Sequence, residues 1–304
     1  MSENASRFDA VVVGGGPAGL SAALTLGRSR RRVLLAADGP TRNAPAHAAH
    51  NVFTRDGTPP AELVRIGRAQ LAPYAVSIRE EWVTDAERTD AGFAVTFAGG
   101  GRVEARALVL ATGVRDVMPD VPGFAELWGS GVFHCPYCHG WEVAGQPLAI
   151  YARGETALHF AQLIRGWTDD LILITDGPSG LSAEDRAKVE RNGIVVREER
   201  VERLVGTGGR LEAVVFAGGE AIPRAGLFLR PEQELRSDLP HRLACPLSAD
   251  GRVQADAAGK TPVPGVFVAG DVGPGWQSVP SAIASGALAG AMLNAELLAQ
   301  EFER

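Results

Sequence analysis

The chain has 304 residues, 45% of them apolar, and a formal net charge of −6. That length suits about two domains and a sizeable core, and the acidic balance excludes a nucleic-acid polyanion as partner. Three cysteines are too few for a disulfide framework, and Arg65, Arg68, Arg79 and Arg88 stand among acids as a solvated surface.

The N-terminal run MSENASRFDAVVVGGG has no basic segment ahead of a long apolar core, so a secretory signal is not expected and the location is read as cytoplasmic. Its apolar part, FDAVVV, predicts a strand. GGGPAGLSAALTLGRS then predicts a helix and RRVLLAAD a second strand. Gly14, Gly16 and Gly19 fall at GxGxxG spacing across the first strand–helix junction, with Pro17 and Ala18 between the last two. The first glycine permits the tight turn, the second lets backbone approach a pyrophosphate, and the third lets helix pack on strand. The helix N-terminus offers that phosphate unpaired N–H groups. An acid that holds the ribose belongs at the end of the second strand. By count the slot falls on Ala37, with Asp38 one place along.

RVEARALVLATG is a strand entering Ala111-Thr112-Gly113, where small residues let backbone pass close to a ligand. HCPYCHGW follows, with Cys135 and Cys138 at CxxC spacing. Zinc needs about four ligands, and the neighbouring Cys138 and His139 rarely converge on one ion, so no metal is expected and redox chemistry is favoured. Cys245, alone in LACPLS, reads as a small buried hydrophobe. His47 and His50 could line a ligand pocket, with structural satisfaction the favoured reading; strand-end packing is favoured over catalysis for His134, and core over a substrate platform for Trp141.

QPLAIYARGETALHFAQLIRG repeats the strand–turn–helix order, and DDLILITDGP adds a strand. Proline-containing crossings at VMPDVPG and RSDLPHR mark an insertion. Residues 1–115 and 242–304 would then form one discontinuous domain and 116–241 the other. TPVPGVFVAGDVG is another apolar strand, ending in Gly270-Asp271, where an aspartate can take a ribityl hydroxyl. SAIASGALAGAMLNAELLAQ carries Ser, Gly, Asn and Glu and reads as a buried helix rather than a membrane span. The fold class expected is α/β, with two Rossmann-like, three-layer nucleotide-binding domains.

GGGPAG, LVLATG, CPYCHG and VFVAGDV in this order resemble the low-molecular-weight thioredoxin reductases over nearly the whole chain. The resemblance implies bound FAD, a homodimer, Cys138 facing the flavin and Cys135 exchanging with an outside thiol. It also implies Gln277 near the flavin ring, Asp271 near the ribityl chain, and Asn51 and Val83 near the flavin and adenine. Two departures stand out. Aspartate is common after the second cysteine in that family, and here His139 stands there. In the inserted domain, the GxGxxA loop carries Ala152 at its first glycine slot and Arg153 in its middle, and only Gly154 and Ala157 fit. The next strand ends in Ile174-Thr175-Asp176, where relatives that use NADPH place an arginine pair.

CPYCHGW, RNAPAH (which includes Arg42 and Asn43) and DGTPPAEL resemble a distinct branch, the thioredoxin-reductase-like dithiol oxidases and their bacterial relatives. That branch implies FAD without nicotinamide, electrons returned to oxygen, and a dithiol as substrate. His139, with an ordinary pKa near ~6.5, is then expected as the base of thiol exchange at neutral pH. Two alternatives stand beside this: a thioredoxin-type disulfide reductase fed by NADH, ferredoxin or another donor, and a flavin-bearing redox sensor.

Overall fold

The computed structural model describes residues 7–303. Residues 1–6, part of the stretch scanned for a secretory signal, lie outside the described residues, as does residue 304. In chain order the first elements are β1 (Arg7–Val13), α1 (Pro17–Arg28), β2 (Val33–Ala36), α2 (Pro60–Leu71), β3 (Val76–Arg79), β4 (Val83–Thr89), β5 (Gly92–Phe97), β6 (Arg102–Leu110) and β7 (Val114–Val117). Next come β8 (Val132–Phe133), α3 (Pro136–His139), β9 (Leu148–Tyr151), α4 (Gly154–Ile164), β10 (Leu171–Ile174), α5 (Ala183–Arg191) and β11 (Val195–Arg197). The chain continues through β12 (Val201–Thr207), β13 (Arg210–Phe216), β14 (Ala221–Pro223), β15 (Gly226–Leu229) and β16 (Glu232–Leu235). It ends with α6 (Leu239–Arg242), β17 (Val266–Val268) and α7 (Val279–Phe302).

The chain divides into two compact units, residues 1–42, 52–115 and 233–304 in the first and 43–51 with 116–232 in the second. The first unit holds a seven-stranded sheet in the order β3-β2-β1-β6-β5-β4, with β17 also paired to β6. β1 runs parallel to both β2 and β6, with Val12 opposite Leu35 on one side and Val109 on the other. Parallel strands are covered on both faces, which is why β1 reads as one apolar run. Val11 and Val13 enter one core cluster and Ala10 and Val12 the other, the alternation that a pleated strand imposes.

One of these cores is closed by α1 and α7. Small residues set how closely they approach: a Cβ on Gly286 would stand 2.1 Å from the Ala18 carbonyl oxygen, and one on Gly290 would stand 2.9 Å from that of Ala22. The last turn of α7 is tied back through Glu301, which accepts from Arg31 at 2.6 Å and from Arg106. The expected burial of this helix holds on one face only. Its other face leaves Ile283, Leu288, Met292, Leu298 and Phe302 exposed, because the small residues that seat it on α1 form a single stripe. Among the described residues it is the one helix long and apolar enough, by length and composition, to cross a membrane.

The second unit holds a five-stranded parallel sheet, β11-β10-β9-β15-β8, and a three-stranded antiparallel sheet, β12-β13-β14. Its boundaries differ from the proline marks. The return falls at residue 233, because Leu239, Leu243 and Cys245 belong to the core of the first unit, and Pro240 opens α6 within it. The stretch 43–51 belongs to the second unit, where Gly129 has no side chain and Pro45 packs against it.

Candidate functional site

In the first unit, β1, β6 and β17 lie side by side and their C-terminal ends bring three glycine-bearing turns together. A Cβ on Gly14, whose φ is +116°, would stand 2.2 Å from the Ala111 carbonyl oxygen, and a Cβ on Gly19 would stand 1.8 Å from that of Gly14. No side chain fits at either place, so the turn brings the backbone of β1 against that of β6. Gly16 caps α1, Pro17 begins it and Ala18 is buried. A Cβ on Gly270 would meet that of Ala18 at 2.9 Å, which joins the third turn to the first. Thr112 Oγ1 is buried without a partner among the described residues, and Gly113 takes φ +70°. A glycine cradle at a helix N-terminus, with an unanswered hydroxyl in its wall, fits the pyrophosphate and sugar of a dinucleotide.

Beside this cradle the predicted polar residues form one network. Arg42 Nη1 donates to Asp271 Oδ2 and to Gln277 Oε1, each at 2.9 Å. Gln277 and Gln233 then exchange amide hydrogen bonds of 2.8 and 2.9 Å. Gln233 was not anticipated; PEQEL carries no motif, and only the return of the chain brings it to Gln277. Ala37 is buried against Gly15 and its N–H donates to the Arg79 carbonyl, while Asp38 is exposed just past β2. The Val83 side chain lies in the core, which leaves only its main chain for a ligand. Asn43 and the exposed Asn51, which has φ +59°, fall in the second unit.

In the second unit Cys135 and Cys138 are joined as a disulfide with their Cα atoms 5.3 Å apart. Cys135 caps the single turn of α3, and its carbonyl accepts from the N–H groups of Cys138 and His139 at 3.2 Å. Cys135 is buried, while Cys138 is partly open. Tyr137 projects between them, edge-on to Trp167 at 5.6 Å. Trp141 is not core: it is 84% exposed. His134 lies tilted against Trp128, and His47 is exposed.

His139 stacks on Phe133 at 4.8 Å and 16°, and both ring nitrogens are buried without partners among the described residues. Burial, followed by the charge of nearby His50, pushes its pKa down to about 4. The ordinary value near ~6.5 assumed for a base therefore does not hold while the disulfide is closed; the ring is dry and neutral at pH 7. His50 faces Glu142, Nε2 to Oε1 at 3.4 Å, in the same unit.

In the second unit, groups that a nucleotide-binding loop would offer are taken up by the chain itself. The N–H of Gly154, first residue of α4, donates to Ser179 O at 2.8 Å. Arg153 donates through Nε to Thr175 O and through Nη2 to Asp176 O. Asp176 Oδ1 accepts from Val201 N–H at 2.7 Å and Oδ2 from the Tyr151 hydroxyl at 3.1 Å. Burial and this carboxylate push the Tyr151 pKa up to about 12. Elsewhere, Cys245 is buried in the core of the first unit, where burial raises its thiol, as a structural cysteine behaves.

Residues 8–286 match the family model for pyridine nucleotide-disulphide oxidoreductases. The protein named thioredoxin reductase tcpT of Claviceps purpurea is 33% identical, the match covering 96% of this chain and 94% of that one. Among solved structures, HlmI is 36% identical with a TM-score of 0.91, covering 100% of this chain and 96% of its own. A putative thioredoxin reductase TrxB from Bacillus anthracis is 32% identical with a TM-score of 0.92, covering 97% and 99%.

Proposed function

We propose, from the premise that this chain belongs to the pyridine nucleotide-disulphide oxidoreductase family and is an FAD-binding disulfide oxidoreductase, that it oxidises a dithiol to a disulfide without nicotinamide and with oxygen as acceptor. The observation that carries this reading is that Gly154 N–H and Asp176 are already engaged within the second unit. A dinucleotide needs the helix N-terminus for its phosphates and an acid or base pair for its ribose. Here Ser179 takes the N–H of Gly154, and Asp176 is already occupied by Val201, Tyr151 and Arg153.

The cradle around Gly14, Gly16 and Gly19 would hold the FAD pyrophosphate, and Thr112 and Asp271 its sugar hydroxyls. Bound FAD supplies a two-electron acceptor that can pass electrons on to oxygen. The substrate side belongs to the cysteines. One substrate thiolate forms a bond to Cys135 sulfur as the Cys135–Cys138 bond breaks, and the electron pair leaves on Cys138. The second substrate thiolate then displaces Cys135, so the substrate leaves as a disulfide and the enzyme keeps a dithiol. His139 is positioned to receive a proton only once a thiolate beside it favours the charged ring. The outward apolar face of α7 supports a homodimer, with a second copy covering Ile283, Leu288 and Met292.

Relatives that bear the name thioredoxin reductase favour a protein disulfide as the second reading. Flavin-loaded protein mixed with NADPH or NADH without oxygen separates the two. The oxidase reading expects no loss of the flavin's visible absorbance with either, bleaching by dithiothreitol, and recovery in air. Rapid bleaching by a nicotinamide would overturn it.

A further inference from the structure

Exchange at Cys135–Cys138 takes a proton from the substrate thiol and leaves a thiolate on the enzyme, and something must pass that proton to water and hold that charge. The sequence points to His139, yet both of its nitrogens are sealed, and its ring face lies on Phe133. The neighbouring His50 differs in each respect. Its side chain is 24% exposed and so reaches solvent, and the Glu142 carboxylate stands 3.4 Å from its Nε2. Glu142 lies four residues beyond Cys138 on the turn that continues α3, so His50 faces the same turn that presents the second cysteine. The titratable groups shown against His50 are Glu142 and His139, both from the CxxC helix and its continuation. Charge on one of two neighbouring imidazoles disfavours charge on the other, and the Glu142 carboxylate stands against His50.

We propose that His50, braced by Glu142, is the proton-handling partner of the cysteine pair: it takes up the proton that the substrate thiol sheds, the imidazolium so formed stabilises the thiolate left on Cys138, and its exposed edge passes that proton to water once the thiolate is consumed. This rests on the dithiol-exchange reading above. No electron passes through the pair; it balances the charge left when the disulfide bond breaks, while the two electrons come from the substrate dithiol. His50 and Glu142 thus act as positioning residues, through charge rather than bonding.

The test reads the thiols themselves, apart from turnover. Flavin-loaded protein is reduced anaerobically with dithiothreitol and desalted. Iodoacetamide alkylation of Cys135 and Cys138 is then followed by mass spectrometry across pH. In His50→Gln the midpoint of Cys138 alkylation is expected about 1 pH unit higher than in the parent. Glu142→Gln, a change at a partly exposed residue, is expected to raise it by less. His50→Lys, which restores a cation, is expected to return it toward the parent value. A merely structural role would not produce that order. Parent and His50→Gln midpoints that coincide, or a Lys variant that behaves as Gln, would overturn the proposal alone. Failure of dithiothreitol to open the parent disulfide would instead sink the exchange reading, and this proposal with it.

Discussion

Arg42 and Asp271 lie 229 positions apart in the chain, and Arg42 Nη1 donates to Asp271 Oδ2 at 2.9 Å. The same nitrogen reaches Gln277 Oε1. One guanidinium therefore fixes both polar residues of the last turn beside the glycine cradle. An Arg42→Ala variant leaves Asp271 without this partner and is expected to bind FAD about tenfold more weakly, since a charged hydrogen bond contributes about 1.5–3 kcal/mol. Titration of the apoprotein with FAD checks this; unchanged affinity would show that Arg42 only packs.

The seat of α7 on α1 depends on absent side chains. Gly286→Ala places a Cβ 2.1 Å from the Ala18 carbonyl and forces the helices apart. The expected loss is about 1–3 kcal/mol, the range for overpacking. Gly166→Ala is the control, because its Cβ would meet only the Leu163 carbonyl oxygen, at 3.4 Å. Denaturant unfolding of the two variants should separate them clearly.

Tyr151 reports on the engagement of Asp176 within the second unit. Its pKa, raised to about 12 by burial first and Asp176 second, should fall part of the way toward ~10 in Asp176→Ala. Burial remains, so the return is incomplete. Spectrophotometric titration of phenolate in a background lacking the other two tyrosines, Tyr74 and Tyr137, resolves the change. A value that does not move would mean that the carboxylate is not held against the hydroxyl.

His139 makes the oxidised protein pH-sensitive in a definite direction. Its folded pKa of about 4 lies below the ordinary value of 6.5. As pH falls from 6.5 to 4, the unfolded chain takes a proton that the folded ring refuses, so stability drops, by roughly 3 kcal/mol at the end of the window. Above pH 6.5 the contribution is flat. His139→Phe, which keeps a ring against Phe133, should remove this slope. Urea unfolding at pH 7 and 4.5 would show it, and equal slopes in both proteins would refute the buried neutral ring.

The local geometry of the glycine turns was legible in the residues. Gly14, Gly16 and Gly19 could be placed because a tight turn and a close backbone approach are local demands that only glycine meets. The decayed loop at Ala152 and Arg153 was legible for the same reason. What the chain places around it was not. That Arg153 turns onto Thr175 and Asp176, and that Ser179 takes the N–H of Gly154, depends on a loop folding back across more than twenty residues. Trp141 was misplaced because aromatic residues are core more often than not, and nothing local marks the one that stays outside.

The sequence by itself determined the two α/β units, the close pairing of Cys135 with Cys138 and the glycine turns, because strand periodicity, glycine spacing and CxxC spacing are properties of short segments. Only the tertiary structure decided which charges meet and which titrating rings stay dry. Arg42 reaches Asp271 through the order of strands in the sheet, and His139 loses its basicity through burial against Phe133 beside the charge of His50. Desolvation and long-range charge act through space, and a sequence does not specify distance through space until the chain has folded.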